Sequence, residues 1–216
     1  MNLLKKKNEV FFLLDKNNNW IEKYLKKHLS NFPKKYIYKI SKNPNNIKNK
    51  IVFVLSYTKI LGVDFLEKNK EVLIAHPSKL PRDKGFAPVQ YQILKKKNLI
   101  HVSLIRAVQE IDSGPIALRD TFSLQGHELS EEIREKQFYS IFKVISKFLI
   151  KYPNITFKRQ KGIGNFNKRR HANDNELDIN KSIKSQFNLL RVVDNNLYPA
   201  FFKYKKKTYY IKIEKK

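Results

Sequence analysis

The chain has 216 residues and 41% hydrophobic content, room for one sizeable core or for one main domain with a short appendage. It contains no cysteine, which excludes disulfides and thiolate metal sites, and no apolar stretch approaches the roughly 18 residues that a membrane helix needs. The formal charge of +26 suits an anionic partner, yet lysines run through nearly every segment beside many asparagines.

That spread is what an AT-rich coding sequence gives without a binding stripe, so neither a nucleic-acid partner nor membrane association is expected. The start, "MNLLKKKNEVFFLLD", has a basic beginning and a short apolar run, but Asp15 breaks the run and no small-residue cleavage site follows. A soluble, cytoplasmic protein is expected.

In chain order, "EVFFLLD" (9–15) reads as a buried strand, and 18–32 carries Trp20, Ile21, Tyr24, Leu25 and Leu29 at helical spacing. "KYIYKIS" alternates like a strand. "KIVFVLSY" (50–57) and "EVLIAHP" (71–77) are short, β-branched and continuously apolar, as strands covered on both faces are. A helix near 86–95 is followed by strand-like 100–108 and 114–124, then an amphipathic helix from Ser130 to Ile150. After Pro153 the pattern changes: 154–176 is polar and reads as a linker or exposed loop. One more helix within "LDINKSIKSQFNLLRVV" and two strands around a lysine turn in "YPAFFKYKKKTYYIKI" complete the chain. The order predicts an α/β sheet, mostly parallel at first, over residues 1–153, with a linker and small C-terminal α+β extension at 154–216.

In open α/β sheets, ligands bind beyond the carboxyl ends of the strands. His76 ends one such strand, and Asp112 lies on the turn "EIDSGPI" that leads into another. A carboxylate reaching an imidazole fixes its tautomer and favours its charged form. On position alone, His76 fits a structural hydrogen bond as well as a catalytic role. The other histidines carry no metal-like spacing: His28 reads as an exposed helix residue, and His101, His127 and His171 stand near element ends or in a basic loop. Phe187, Tyr198, Phe201 and Phe202 read as core.

"HPSKLPRDKG" followed downstream by "DSGPI" resembles the signature of the folate-dependent formyltransferases. The resemblance implies a Rossmann-like sheet, N10-formyltetrahydrofolate as formyl donor, tetrahydrofolate as product, and His76 and Asp112 as the catalytic pair. It further implies donor contacts from Leu80, Pro81, Ile111, Asp112 and Ser113, acceptor contacts from Ser78, Arg82, Lys84, Gly85, Asn188 and Tyr198, and no metal. The glycine-rich phosphate loop of glycinamide ribonucleotide transformylase is replaced by "LLDKNNNWIEKYL", and the barrel domain of methionyl-tRNA formyltransferase would need more residues than are available. "GFAPVQYQIL", "GHELSEEIREKQ" and "ELDINKSIKSQFNLLRVVDNNLYPAFF" are similar to enzymes that formylate nucleotide-linked amino-dideoxy sugars, with UDP or dTDP as carrier and cell-surface polysaccharide as destination. Catalytically weak or inactive binding homologues and the other two enzyme types remain alternatives.

One position departs from the family. An asparagine usually stands two residues before the histidine, where its amide holds the formyl oxygen; here that residue is Ile74. A backbone N–H or a nearby side chain such as Ser78 is expected to replace it; otherwise the site is slow or inactive.

Overall fold

The computed structural model describes residues 8–18 and 20–216; the basic start at 1–7 lies outside them. The elements, in order, are β1 (Asn8–Leu14), α1 (Glu22–His28), β2 (Tyr36–Ser41), β3 (Ile51–Leu55), α2 (Val63–Glu67) and β4 (Glu71–His76). They continue with β5 (Lys84–Gly85), α3 (Pro88–Leu94), β6 (Leu99–Arg106), β7 (Ile116–Ser123), α4 (Ser130–Lys151), β8 (Phe166–Asn167), α5 (Ile183–Val192), β9 (Ala200–Tyr204) and β10 (Lys207–Ile211).

The main sheet has the order β2-β1-β3-β4-β6-β7. The first four strands are parallel, and β6 and β7 are added antiparallel. Every residue of β3 is buried, which explains its unbroken apolar sequence. Phe12, Phe53, Phe138, Val144 and Phe148 build the larger core between the sheet and helices α1 and α4; Val52, Val54 and Val72 face a smaller core with Phe65 and Leu66 on the other side. Helix α4 buries Ile133, Phe138, Ile141, Val144, Ile145, Phe148 and Leu149, the stripe expected of a helix laid on a sheet. Burying each such side chain contributes roughly 1.5–3 kcal/mol. Among the described residues, no helix is long and apolar enough to cross a membrane.

After α4 the chain turns back onto the sheet. Lys158 bridges to Ile116 at the start of β7, and β8 pairs in parallel with β5. Parts of the segment expected as a linker or exposed loop therefore pair with β7 and β5, while most of its residues remain exposed. A separate small core of Leu190, Val193 and Ala200, with Phe187 and Ile211 beside it, joins α5 to the β9–β10 hairpin. Phe201 of β9 is buried, but Tyr198, expected in the core, is 59% exposed. A buried ion pair between Glu128 and Arg191 (3.0 Å) anchors α5 to the loop before α4. His28, expected exposed, is half-buried against Phe138, Tyr139 and Phe142.

Candidate active site

Strand β4 delivers His76 to the carboxyl edge of the sheet, and the chain then loops back over it. Ser78 donates its hydroxyl to the Arg82 carbonyl at 2.7 Å, and its own carbonyl accepts from Ser103 on β6, also at 2.7 Å. Gln92 of α3 reaches the Pro77 carbonyl, and Arg119 of β7 the Leu80 carbonyl. The loop is thus fixed from three elements.

The return brings Asp83 under the imidazole. His76 Nε2 lies 2.9 Å from the Asp83 carbonyl oxygen. A carbonyl can only accept, so the proton of the neutral ring is on Nε2. The Nδ1 lone pair then faces Asp112 Oδ2 at 3.5 Å. Two acceptors at that distance form no hydrogen bond; a proton arriving on Nδ1 would meet a carboxylate. Both residues are buried, His76 at 6% and Asp112 at 8% exposure.

Asp112 sits in the left-handed region (φ 50°), where Asp and Asn are the tolerated side-chain-bearing residues. Its Oδ2 accepts from the Gly85 N–H at 2.8 Å. Its backbone carbonyl and that of Gly114 both accept from the amide of Gln160, at 2.8 and 2.9 Å. Gly114 must be glycine: a Cβ there would lie 1.7 Å from the Arg106 carbonyl oxygen. Next to Asp112, Ser113 accepts from Lys84 Nζ at 2.6 Å and donates to the Ile111 carbonyl.

The structure brings His76, Ser78, Lys84, Gly85, Asp112 and Ser113 into one network, and Pro81 and Ile111 lie in the same two loops. Ile111 is 45% exposed beside Asp112, but Leu80, expected to touch the donor, is 1% exposed and packs with Ile105 and Ile116 in the core. Ser78 is fully buried with its hydroxyl committed inside the loop, so it cannot also serve the formyl oxygen. Arg82 is exposed at the loop surface. Asn188 instead lines a cavity of about 460 Å³ with Lys96, Ser182 and Phe187, and Tyr198 gives its carbonyl to Asn175; neither joins the His76 network. Among the described residues no group of three His, Cys, Asp or Glu could hold a metal.

Asp83 was not singled out by the sequence. It is buried; burial pushes its carboxyl up, but hydrogen bonds from Lys95 and Asn165 outweigh that and hold it below its ordinary range. Nor were Asn165, Asn167 and Gln160, which sit in a polar stretch whose composition reads as loop. Asp15, at the end of β1, is also buried and held below its ordinary range: burial opposes this, but Thr58, Asn17 and Asn18 donate to it.

The family model described as Formyl transferase matches residues 4–140. Methionyl-tRNA formyltransferase of Thermodesulfovibrio yellowstonii is 28% identical over 153 residues, 69% of this chain and 50% of that protein. The enzyme of the same name from Thermosipho melanesiensis is 30% identical over 149 residues, 69% of this chain and 48% of that one. The chain spans about half the length of these curated relatives. Among solved structures, a methionyl-tRNA formyltransferase from Clostridium thermocellum superposes with TM-score 0.77 at 21% identity, covering 93% of this chain and 90% of that one. A sugar N-formyltransferase from Shewanella sp gives 0.70 at 15% identity, over 98% and 99%. HypX from Aquifex aeolicus in complex with tetrahydrofolic acid gives 0.71 at 16%, over 94% of this chain and 37% of that one. These structural likenesses establish the Rossmann-like formyltransferase fold.

Proposed function

The chain belongs to the formyl transferase family, and from that premise we propose that it moves a formyl group from N10-formyltetrahydrofolate to the primary amine of a nucleotide-linked amino sugar. The observation that carries the reading is the buried His76–Asp112 pair at the sheet edge, with the ring proton on Nε2 and the Nδ1 edge turned to the carboxylate.

When bound, the folate supplies the formyl carbon. Exposed Ile111 offers apolar contact, and Asp112 and Ser113 polar groups on the same turn, which fits a flat heterocycle with hydrogen-bonding edges. His76 Nδ1 accepts the proton released as the acceptor nitrogen bonds to the formyl carbon. Asp112 faces the charged ring while that proton resides there. His76 then returns the proton to the folate nitrogen as its bond to carbon breaks, so the ring ends neutral and the products are a formamide and tetrahydrofolate. Proton handling of this kind contributes roughly 100- to 10,000-fold. Lys84, which reaches Ser113, and exposed Arg82 supply cations from the same loop for a nucleotide diphosphate.

The sugar acceptor is supported by the end-to-end fold likeness to a sugar N-formyltransferase and by the motifs flanking His76. A second reading, methionyl-tRNA as acceptor, is favoured by the activity named for the curated relatives. Incubation with N10-formyltetrahydrofolate and, separately, UDP- and dTDP-linked amino sugars and methionyl-tRNA decides between them. A formamide on a sugar nucleotide is the expected product. Formylation of the tRNA alone would replace the sugar reading, and no product from any acceptor would defeat formyl transfer.

A further inference from the structure

The two ring nitrogens of His76 are governed by one short piece of chain. Residues 83–85 place the Asp83 carbonyl on Nε2 and the Gly85 N–H on the Asp112 oxygen that faces Nδ1. Among the described residues, the strand partner of that piece is β8. Lys84 N–H donates to the Asn165 carbonyl at 3.0 Å and Phe86 N–H to the Asn167 carbonyl at 3.1 Å. The fit at Gly85 is close: a Cβ would stand 2.7 Å from both the Asn167 carbonyl oxygen and the Phe166 ring.

Side chains add a second layer. Asp83 adopts φ 57°, a left-handed conformation that is uncommon outside glycine but that Asp tolerates, and contacts from β8 and the adjoining Asn165 hold it there. Its N–H donates to Asn165 Oδ1 at 3.0 Å. Its carboxylate meets Asn165 Nδ2 at 3.4 Å, Asn167 Nδ2 at 3.5 Å and Lys95 Nζ at 3.2 Å. Asn167 is 5% exposed, so its amide is available to little else. Both asparagines lie beyond the stretch that matches the family model.

We infer that Asn165 and Asn167 are positioning residues: by holding Asp83 in its left-handed conformation they keep its carbonyl on Nε2, and so leave Nδ1 as the basic nitrogen beside Asp112. Without that carbonyl, a neutral ring gains by moving its proton to Nδ1, where Asp112 accepts it. Such a ring has no free base on the Asp112 side. The catalytic consequence rests on the formyl-transfer reading; the protonation pattern does not.

The test uses the full chain with 15N-labelled histidine, at a pH where the ring is neutral, and the His76 signals assigned by their loss in His76→Gln. In the unaltered chain, Nδ1 should give the signal of a bare nitrogen and Nε2 that of a protonated one. Asn165→Asp keeps an acceptor for the Asp83 N–H but sets carboxylate against carboxylate; Nδ1 should gain proton, and kcat should fall about 10- to 100-fold, part of the roughly 100- to 10,000-fold that general acid–base help contributes as a whole, with KM little changed. Asp83→Asn combined with Asn165→Asp exchanges the amide and the carboxylate and should restore both readouts. If Asn165→Asp does not fold, Asn167→Ser carries the same expectation. A folded variant with the original tautomer and kcat within about twofold would overturn the inference, as would failure of the double variant to restore the tautomer. A tautomer that responds as expected in a chain that formylates nothing would support the positioning role and defeat only the formyl-transfer reading.

Discussion

His76 Nδ1 lies 3.5 Å from Asp112 Oδ2, and the Gly85 N–H donates to that same oxygen at 2.8 Å. The carboxylate is therefore oriented by backbone before any proton reaches the ring, and its backbone is pinned through Gln160. Asp112→Asn tests whether its charge does chemistry. Asparagine tolerates φ near 50° as aspartate does, so the fold should persist. Turnover should fall roughly 100- to 10,000-fold, with little change in folate affinity. His76→Asn and the double variant should lose similar amounts, since residues acting as one unit are not additive. Steady-state kinetics and folate titration check this; near-normal turnover with only a raised KM would make Asp112 a binding or turn residue.

Gly85→Ala probes the joint between the catalytic loop and β8. At φ 84° any side chain is strained, and the new methyl would need Asn167 and Phe166 to move. Strain of this kind costs about 1–3 kcal/mol. Because the shift also draws the Gly85 N–H from Asp112, kcat should drop together with Tm. Thermal unfolding and kinetics on the same sample separate the two, and a stable, fully active variant would mean that the joint is slack.

Glu128 supplies an acid-sensitive contribution to stability. Burial alone would push its carboxyl up, but the N–H groups of Gln125 and Gly126, together with Lys136, hold it at about 2, against an ordinary 4.5. Burial takes its partner Arg191 below the usual guanidinium range, against the pull of Glu128; at neutral pH it still carries its charge. A folded value below the unfolded one means that stability from Glu128 is complete above about pH 4.5 and is lost as pH falls toward 2. Glu128→Gln leaves Arg191 buried without its counter-charge, which costs about 3–5 kcal/mol. Urea unfolding between pH 7 and 3 should show lower stability and a flatter acid slope for the variant.

The fold was legible because its strongest signals are local. Continuous β-branched runs marked β3 and β4, and helical spacing marked α4, with ends within a residue or two. His76 and Asp112 were legible for a different reason: one ends a strand and the other sits on the turn leading into a strand, where motif and position coincide. Asn165, Asn167 and Gln160 were not, because their roles come from pairings with Asp83, Gly85 and Asp112 far away in the chain, and such pairings leave no periodicity. Ser78 misled in the opposite direction. The motif suggests a ligand contact, whereas the local hydrogen bond to the Arg82 carbonyl uses its hydroxyl within the loop.

Ile74 is the departure from the family that the geometry turns into an experiment. It lies two residues before His76 on β4, hence on the same face of the strand, opposite Ile105. Its side chain is half-buried and packs on both the Leu80 and the Val72 clusters. With Ser78 committed, the oxygen of the formyl group is left to a backbone N–H, to another donor near the site, or to none. One such donor is worth roughly 100- to 1,000-fold. Ile74→Asn should therefore raise kcat, by at least about tenfold if the amide reaches half the usual effect in free energy. It should also lower stability by about 1–3 kcal/mol, the cost of an amide placed partly against apolar neighbours. Ile74→Leu, which adds no donor, should leave kcat near its starting value and serves as the packing control. Kinetics with unfolding curves for both variants decide the matter: a folded Ile74→Asn chain with unchanged or lower kcat would mean that the oxyanion is already served by the backbone or another donor, and that the asparagine was replaced without loss.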